Sequence, residues 1–138
     1  MALFGVDASS QFVNVLNASE AYSEAREIWL GTDNFDDDLK NRFDIVTASG
    51  VFLKSHIPSP AMNDCYAALK VGGYFVTAMR AIYWNPGNEE GYREKLDQFV
   101  EEGKFKLVTH TQFRRGVEGE VGLFAPCESH MVCYQKIA

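Results

Sequence analysis

The chain has no apolar run long enough to cross a bilayer, no secretory leader pattern at its start, and almost no clustering of positive charge. The first lack excludes a membrane-spanning helix, which needs about 20 consecutive apolar residues. The second gives no reason to expect export. The third weighs against nucleic acid, because a phosphate backbone is held by grouped Lys and Arg. Here the formal charge is -6, and Arg114-Arg115 is the only adjacent pair of cations. Cysteine is scarce as well: Cys65, Cys127 and Cys133 are odd in number and lack metal-ligand spacing. They read as reduced thiols of a cytoplasmic protein. His56, His110 and His130 are scattered and form no ligand or triad pattern, so no metal is expected. Repeats, low-complexity tracts and linkers are all missing, and 138 residues then read as one domain, residues 1–138.

What is present is an alternation of short apolar runs and helical patterns. Ala2 to Val6 suits a buried parallel strand ended by Asp7-Ala8-Ser9-Ser10, where Asp7 or Ser9 can supply a turn and a helix cap. Phe12, Val13, Leu16 and Ala21 recur at helical spacing, and Ala25 to Leu30 reads as strand. Thr32 to Asp38 is acidic and turn-like. Phe43 to Val51 is strand, and Pro58 and Pro60 mark a helix entrance. That helix continues through Ala61, Cys65, Ala68 and Leu69 and is expected to stop at Gly72-Gly73, before a strand from Tyr74 to Met79. Glu89 to Lys104 is an amphipathic helix with Tyr92, Leu96, Phe99 and Val100 on its apolar stripe. Phe105 to Phe113 and His130 to Lys136 are the last strands, expected to be antiparallel. Such an order predicts an α/β domain with helices on both faces of an open sheet.

The wording of the middle segment is more specific. Phe43-Asp44 opens an apolar run ending in Ser49-Gly50. A helix-sized interval later, Leu69-Lys70-Val71-Gly72-Gly73 leads into Tyr74-Phe75-Val76. This resembles the second half of the core of a class I S-adenosylmethionine-dependent methyltransferase. Within that superfamily the chain looks most like the methyltransferase-like proteins of the Williams–Beuren syndrome region. It shares with them the Gly5-Val6-Asp7-Ala8-Ser9 segment and a helix carrying Tyr92, Leu96 and Gly103.

The resemblance implies a three-layer, Rossmann-like sheet of order 3-2-1-4-5-7-6, mostly parallel with an antiparallel strand near the C-terminus. It also implies S-adenosyl-L-methionine as cofactor and a small-molecule methyl acceptor. Asp7, with Ala8 beside it, would grip the cofactor ribose in register with the downstream motifs; taken alone, the residue reads as the cap of the helix that begins near Ser9. Asp33 would accept from the adenine amino group, with Asn34 beside it and Phe35 covering the ring; a solvated acidic loop is the alternative. Ser49 and Gly50 would let the methionine portion approach the backbone. No general base is assigned, because the family's acidic or aromatic motif is missing after Ser49-Gly50. Arg80, Tyr83 and Trp84 are candidates for the acceptor pocket or else plain loop anchors.

One departure is large. The family's first strand and glycine-rich turn, which occupy the middle of its sheet, have no counterpart, since only Met1 and Ala2 precede the first strand. The expectation is a truncated product, an incomplete gene model or a degenerate paralogue. Buried and unpaired, the backbone groups facing that vacancy would cost about 1–3 kcal/mol each. The flanking strands are therefore expected to pair directly, to be disordered, or to take up a partner chain, as a homodimer or with another protein. A non-catalytic binding or dimerisation module is the main competing function. A dinucleotide-binding oxidoreductase, sharing the ribose-binding acid, is the weaker one.

Overall fold

Strand β1 (Phe4–Asp7) leads into helix α1 (Ser10–Ala18), and β2 (Glu24–Glu27) returns parallel to β1, with Phe4 opposite Glu24 and Asp7 opposite Glu27. Here the computed structural model, which describes residues 1–138, gives a sheet of two strands only. At Gly5, a Cβ would lie 2.9 Å from Leu16 Cδ1 and 3.2 Å from the Tyr22 ring, so a larger residue would push these side chains aside. Strand β2 is shorter than the sequence predicts. It ends at Glu27, where a loop from Ile28 begins.

The remaining strands form a second sheet of order β3-β4-β6-β5, built from β3 (Phe43–Ser49), β4 (Leu69–Arg80), β5 (Phe105–Arg115) and β6 (Cys127–Lys136). β3 and β4 are parallel, while β6 runs antiparallel to both β4 and β5. Within each sheet the strand order agrees with the expected one, β1 beside β2 and then β3-β4-β6-β5 with the last-formed strand between its two predecessors. β1 and β3 do not pair, so the vacancy is not closed by direct hydrogen bonding.

Helix α2 (Ala61–Ala68), the short α3 (Ala81–Trp84) and α4 (Tyr92–Glu101) all contribute to one apolar core. Phe75 and Met79 of β4, Val132 and Tyr134 of β6 and Phe105 of β5 meet them there, with Phe52 packed edge-on against Phe75. Alternation along β4 sends Tyr74, Val76, Ala78 and Arg80 to the other face, with Ile45, Thr47 and Ser49 beside them on β3. No helix covers that face, and Ile45 is 58% exposed. α1 serves the small sheet instead, burying Val13 near Ala25 and Ile28.

The glycine pair plays a different part from the one expected. α2 ends at Ala68, and Leu69 is already extended and pairs with Phe43. The register then jumps, so that Lys70 to Gly73 bulge opposite Asp44 before Tyr74 pairs with Ile45. Gly72 takes φ +90° in this bulge, and a Cβ on Gly73 would lie 2.9 Å from the Asp44 carbonyl oxygen. Glycine is thus required for the bulge and not to cap the helix.

The two sheets are stitched at both ends. At the amino ends the rings of Phe4 and Phe43 lie 5.4 Å apart, and the Arg26 and Arg42 guanidiniums stand 5.4 and 5.2 Å from the Phe4 ring. At the carboxyl ends, the Gly31 amide in the loop after β2 donates to Asp64 Oδ2 of α2 at 2.6 Å. The strands of both sheets, β6 apart, therefore direct their carboxyl ends to the same side of the molecule.

Candidate functional site

Open α/β sheets bind ligands beyond the carboxyl ends of their strands; Ser49 ends β3 on that side, and Asp33, Asn34 and Phe35 lie in the loop that follows β2. Asp7 ends β1. Its Oδ1 accepts from the Ser9 amide at 2.8 Å, and Ser9 Oγ in turn accepts from Phe12 N at 3.4 Å as the cap of α1. The helix cap is therefore Ser9, and Asp7 shapes the turn before it with one oxygen. The second oxygen has no protein partner, and both Asp7 and Ala8 are half-buried. The Asp7 carbonyl accepts from Ile28 N at 3.1 Å, which fixes where the next loop departs.

That loop is built by left-handed residues, Gly31 at φ +81° and Asp33 at φ +62°. Thr32 Oγ1 donates to the Trp29 carbonyl at 2.6 Å. Asp33 and Asn34 are exposed and Phe35 is half-buried. Gly31 is needed for its conformation and for contact: a Cβ would stand 2.9 Å from Ala61 N. Burial pushes the Asp64 carboxyl up, the Gly31 amide opposes this, and the Asp33 charge adds to the rise. Further along, Arg26 of β2 gathers Glu24, Asp36 and Asp38, which holds the Asp38 carboxyl below its usual range. The acidic tract is thus clamped to β2, an arrangement with no local signature in the sequence.

Ser49 ends β3 exposed; Gly50 follows at φ +69°, its amide donating to the Ala78 carbonyl at 2.9 Å. Gly50 also forms one wall of a cavity of about 120 Å³. Phe52, Met79 and Tyr83 give it an apolar lining, and His56, Arg80 and Arg115 bring the polar groups. Arg80 and Tyr83, candidates for an acceptor pocket or else loop anchors, line this cavity, whereas Trp84 is a buried anchor stacked on His130 beneath the Arg93 guanidinium. Arg115 lies far away in sequence, on β5; an adjacent cation pair was visible, its destination was not.

Of the seven residues expected at the cofactor, Gly50 alone lines this cavity. Asp7 and Ala8 belong to the small sheet, Asp33 to Phe35 to the loop that bridges the sheets, and Ser49 and Gly50 to the large sheet. Toward an adenosyl group the residues present offer a half-buried carboxylate oxygen of Asp7 with no protein partner and, in the loop after β2, the half-buried ring of Phe35. For the methionyl half, the residues present offer Ser49 and Gly50.

No protein-family model matches the chain, and no curated protein sequence does. Solved structures do. A SAM-dependent methyltransferase from Methanosarcina mazei superposes with a TM-score of 0.69 at 14% identity, covering 99% of this chain and 82% of that one. A candidate RNA methyltransferase from Pyrococcus horikoshii gives 0.65 at 13% identity, with 99% and 64% covered. The N-methyltransferase NodS from Bradyrhizobium japonicum gives 0.62 at 11% identity, with 99% and 74% covered. The chain has the α/β fold of S-adenosylmethionine-dependent methyltransferases.

Proposed function

We propose that the chain is a S-adenosylmethionine-dependent methyltransferase domain, or part of one, that acts on a small molecule. The observation that carries this reading is Asp7: a strand-ending carboxylate with one oxygen engaged in the turn and the other free at the shared carboxyl end of the sheets. The neighbours' names support the cofactor class, and they divide on the acceptor. A net charge of -6 favours a small molecule over nucleic acid. The likeness to the Williams–Beuren methyltransferase-like proteins belongs to the same proposal.

Asp7 would hold the ribose hydroxyls and the Asp33–Phe35 loop the adenine, with Ser49 and Gly50 facing the methionyl end. Bound there, S-adenosylmethionine supplies an electron-poor sulfonium methyl that passes to an acceptor lone pair. The protein's share is to hold the acceptor in line and keep water away. Calorimetric titration with S-adenosylhomocysteine tests the reading. Binding is expected to raise the melting temperature, and Asp7→Asn to weaken affinity about tenfold, the scale of one hydrogen bond to a charged acceptor. No heat and no thermal shift would sink it.

A second reading, a binding or dimerisation module, is favoured by the unpaired edges of β1 and β3. Under it a strand from another chain or a second copy fills the vacancy. Sedimentation over a range of concentrations separates the two, since a monomer throughout removes the reason for a partner strand.

A further inference from the structure

The cavity beside Gly50 has an electrostatic character that the overall charge conceals. The protein has six arginines. Arg26 and Arg42 pair with Glu24 and Asp38, Arg93 with Asp97 and Arg114 with Glu118. Arg80 and Arg115 pair with no carboxylate, and both line this one cavity. They arrive from different strands, the end of β4 and the end of β5. Arg80 donates to the Leu123 carbonyl at 3.0 Å, which spends one of its five N–H groups. Arg115 Nη1 stands 3.5 Å from the position a Cβ on Gly50 would take. His56 adds a third donor, and no acidic side chain is among the lining residues. In an acidic protein, convergence of the two unpaired guanidiniums on an apolar cavity leaves their charge to be met by a ligand. The volume of about 120 Å³ fits an oxyanion with a small apolar body against Phe52 and Tyr83.

We infer that the cavity is an oxyanion site, taking the carboxylate or phosphate group of a small, partly apolar ligand. Guanidinium forks match both groups in geometry and charge. Resting on the methyltransferase proposal, the inference extends to the acceptor: it bears an anionic group, and Gly50 is shared by the acceptor cavity and the cofactor's methionyl end. Nothing carboxylate-like is needed from the protein at this place, in keeping with the missing general base.

The test titrates the intact chain with benzoate, with benzyl alcohol as the uncharged control and inorganic phosphate as a separate arm. Binding is followed by calorimetry and by amide shifts at Gly50, Leu53 and His56. Benzoate or phosphate is expected to saturate and benzyl alcohol not to. Arg115→Gln and Arg80→Gln should each weaken the anion at least tenfold. Arg114→Gln, which breaks only the pair with Glu118, should change affinity less than twofold. Because Arg80 also holds the Leu123 carbonyl, Arg115→Gln is the decisive variant, with its melting curve as the check of folding. Equal response to benzoate and benzyl alcohol would overturn the site, as would equal losses from Arg114→Gln and Arg115→Gln. Anion binding without S-adenosylhomocysteine binding would uphold the oxyanion site and overturn its role for a methyl acceptor. S-adenosylhomocysteine binding with no anion preference would leave the methyltransferase reading and remove this inference alone.

Discussion

At the scale of single residues, His130 shows how packing assigns a task that sequence does not announce. It is 6% exposed, stacked on Trp84, and its Nδ1 lies 2.7 Å from His110 Nε2. Burial lowers its pKa, with the facing His110 and Arg93 pushing the same way against a weaker pull from Glu128. The folded chain therefore binds a proton at His130 less readily than the unfolded chain does. Its contribution to stability is complete above pH 6.5 and is lost as pH falls through the lower folded value. Melting temperature measured from pH 7.5 downward is expected to fall over that window, and His130→Gln to flatten the fall; an unchanged profile would remove His130 as the cause. No local pattern announces this pair, since the partner histidine is twenty residues away. Lys136 is comparable. A 4%-exposed lysine, it points its Nζ at the carbonyls of Leu69 and Tyr66 and at Asn41 Oδ1, 2.7 to 3.1 Å away. A cation near the end of a strand pattern reads as a surface residue, and only the tertiary fold reveals it as a tie between β6 and the α2–β4 junction.

At the scale of elements, most of the order was legible because burial imposes periodicity. The alternation along β4 and the stripe of Tyr92, Leu96 and Phe99 each mark one buried face, and Val46 and Ala48 of β3 pack half-buried against the same core. What was not legible depends on register. β4 begins at Leu69, five residues earlier than its apolar run suggests, because Lys70, Val71 and the two glycines sit in a bulge. α3 is too short for a period to emerge from its four residues. β5 extends through Arg115 although its middle is exposed, because pairing with β6 holds it without burial. The bulge makes a sharp prediction. Gly73→Ala places a methyl against the Asp44 carbonyl and Leu69, and such overpacking typically costs about 1–3 kcal/mol. Gly72→Ala meets no atom within 4 Å and pays chiefly for φ +90°, of order 1 kcal/mol. Denaturant titrations of the two variants should rank them in that order; the reverse rank would contradict the bulge geometry.

At the scale of the molecule, the missing hydrogen-bonded contact between β1 and β3 divides the fold into units of unequal strength. The fourteen-residue core draws nothing from residues 1–28, and the small sheet is tied on through Phe4 to Phe43 and Gly31 to Asp64. Hydrogen exchange is expected to reach the amides of β1 and β2 well before those of β4 and β6, as a separately opening unit. Uniform protection across both sheets would contradict that. The candidate site inherits this division, since Asp7 rides on the weaker unit and Gly50 on the stronger. The sequence named candidate residues for the site; that they divide between two separate sheets depends on strand pairing, which no local pattern announces. The position of β6 carries one more consequence. It is synthesised after β5 yet lies between β5 and β4 in the sheet. On the ribosome, β5 emerges with no neighbour to dock on, and β4 waits with one side bare. The larger sheet can zip up only when the later strand arrives to separate and join them. A nascent chain of this design must hold two sticky borders open while it grows, which makes that interval the one in which a chaperone has most to protect.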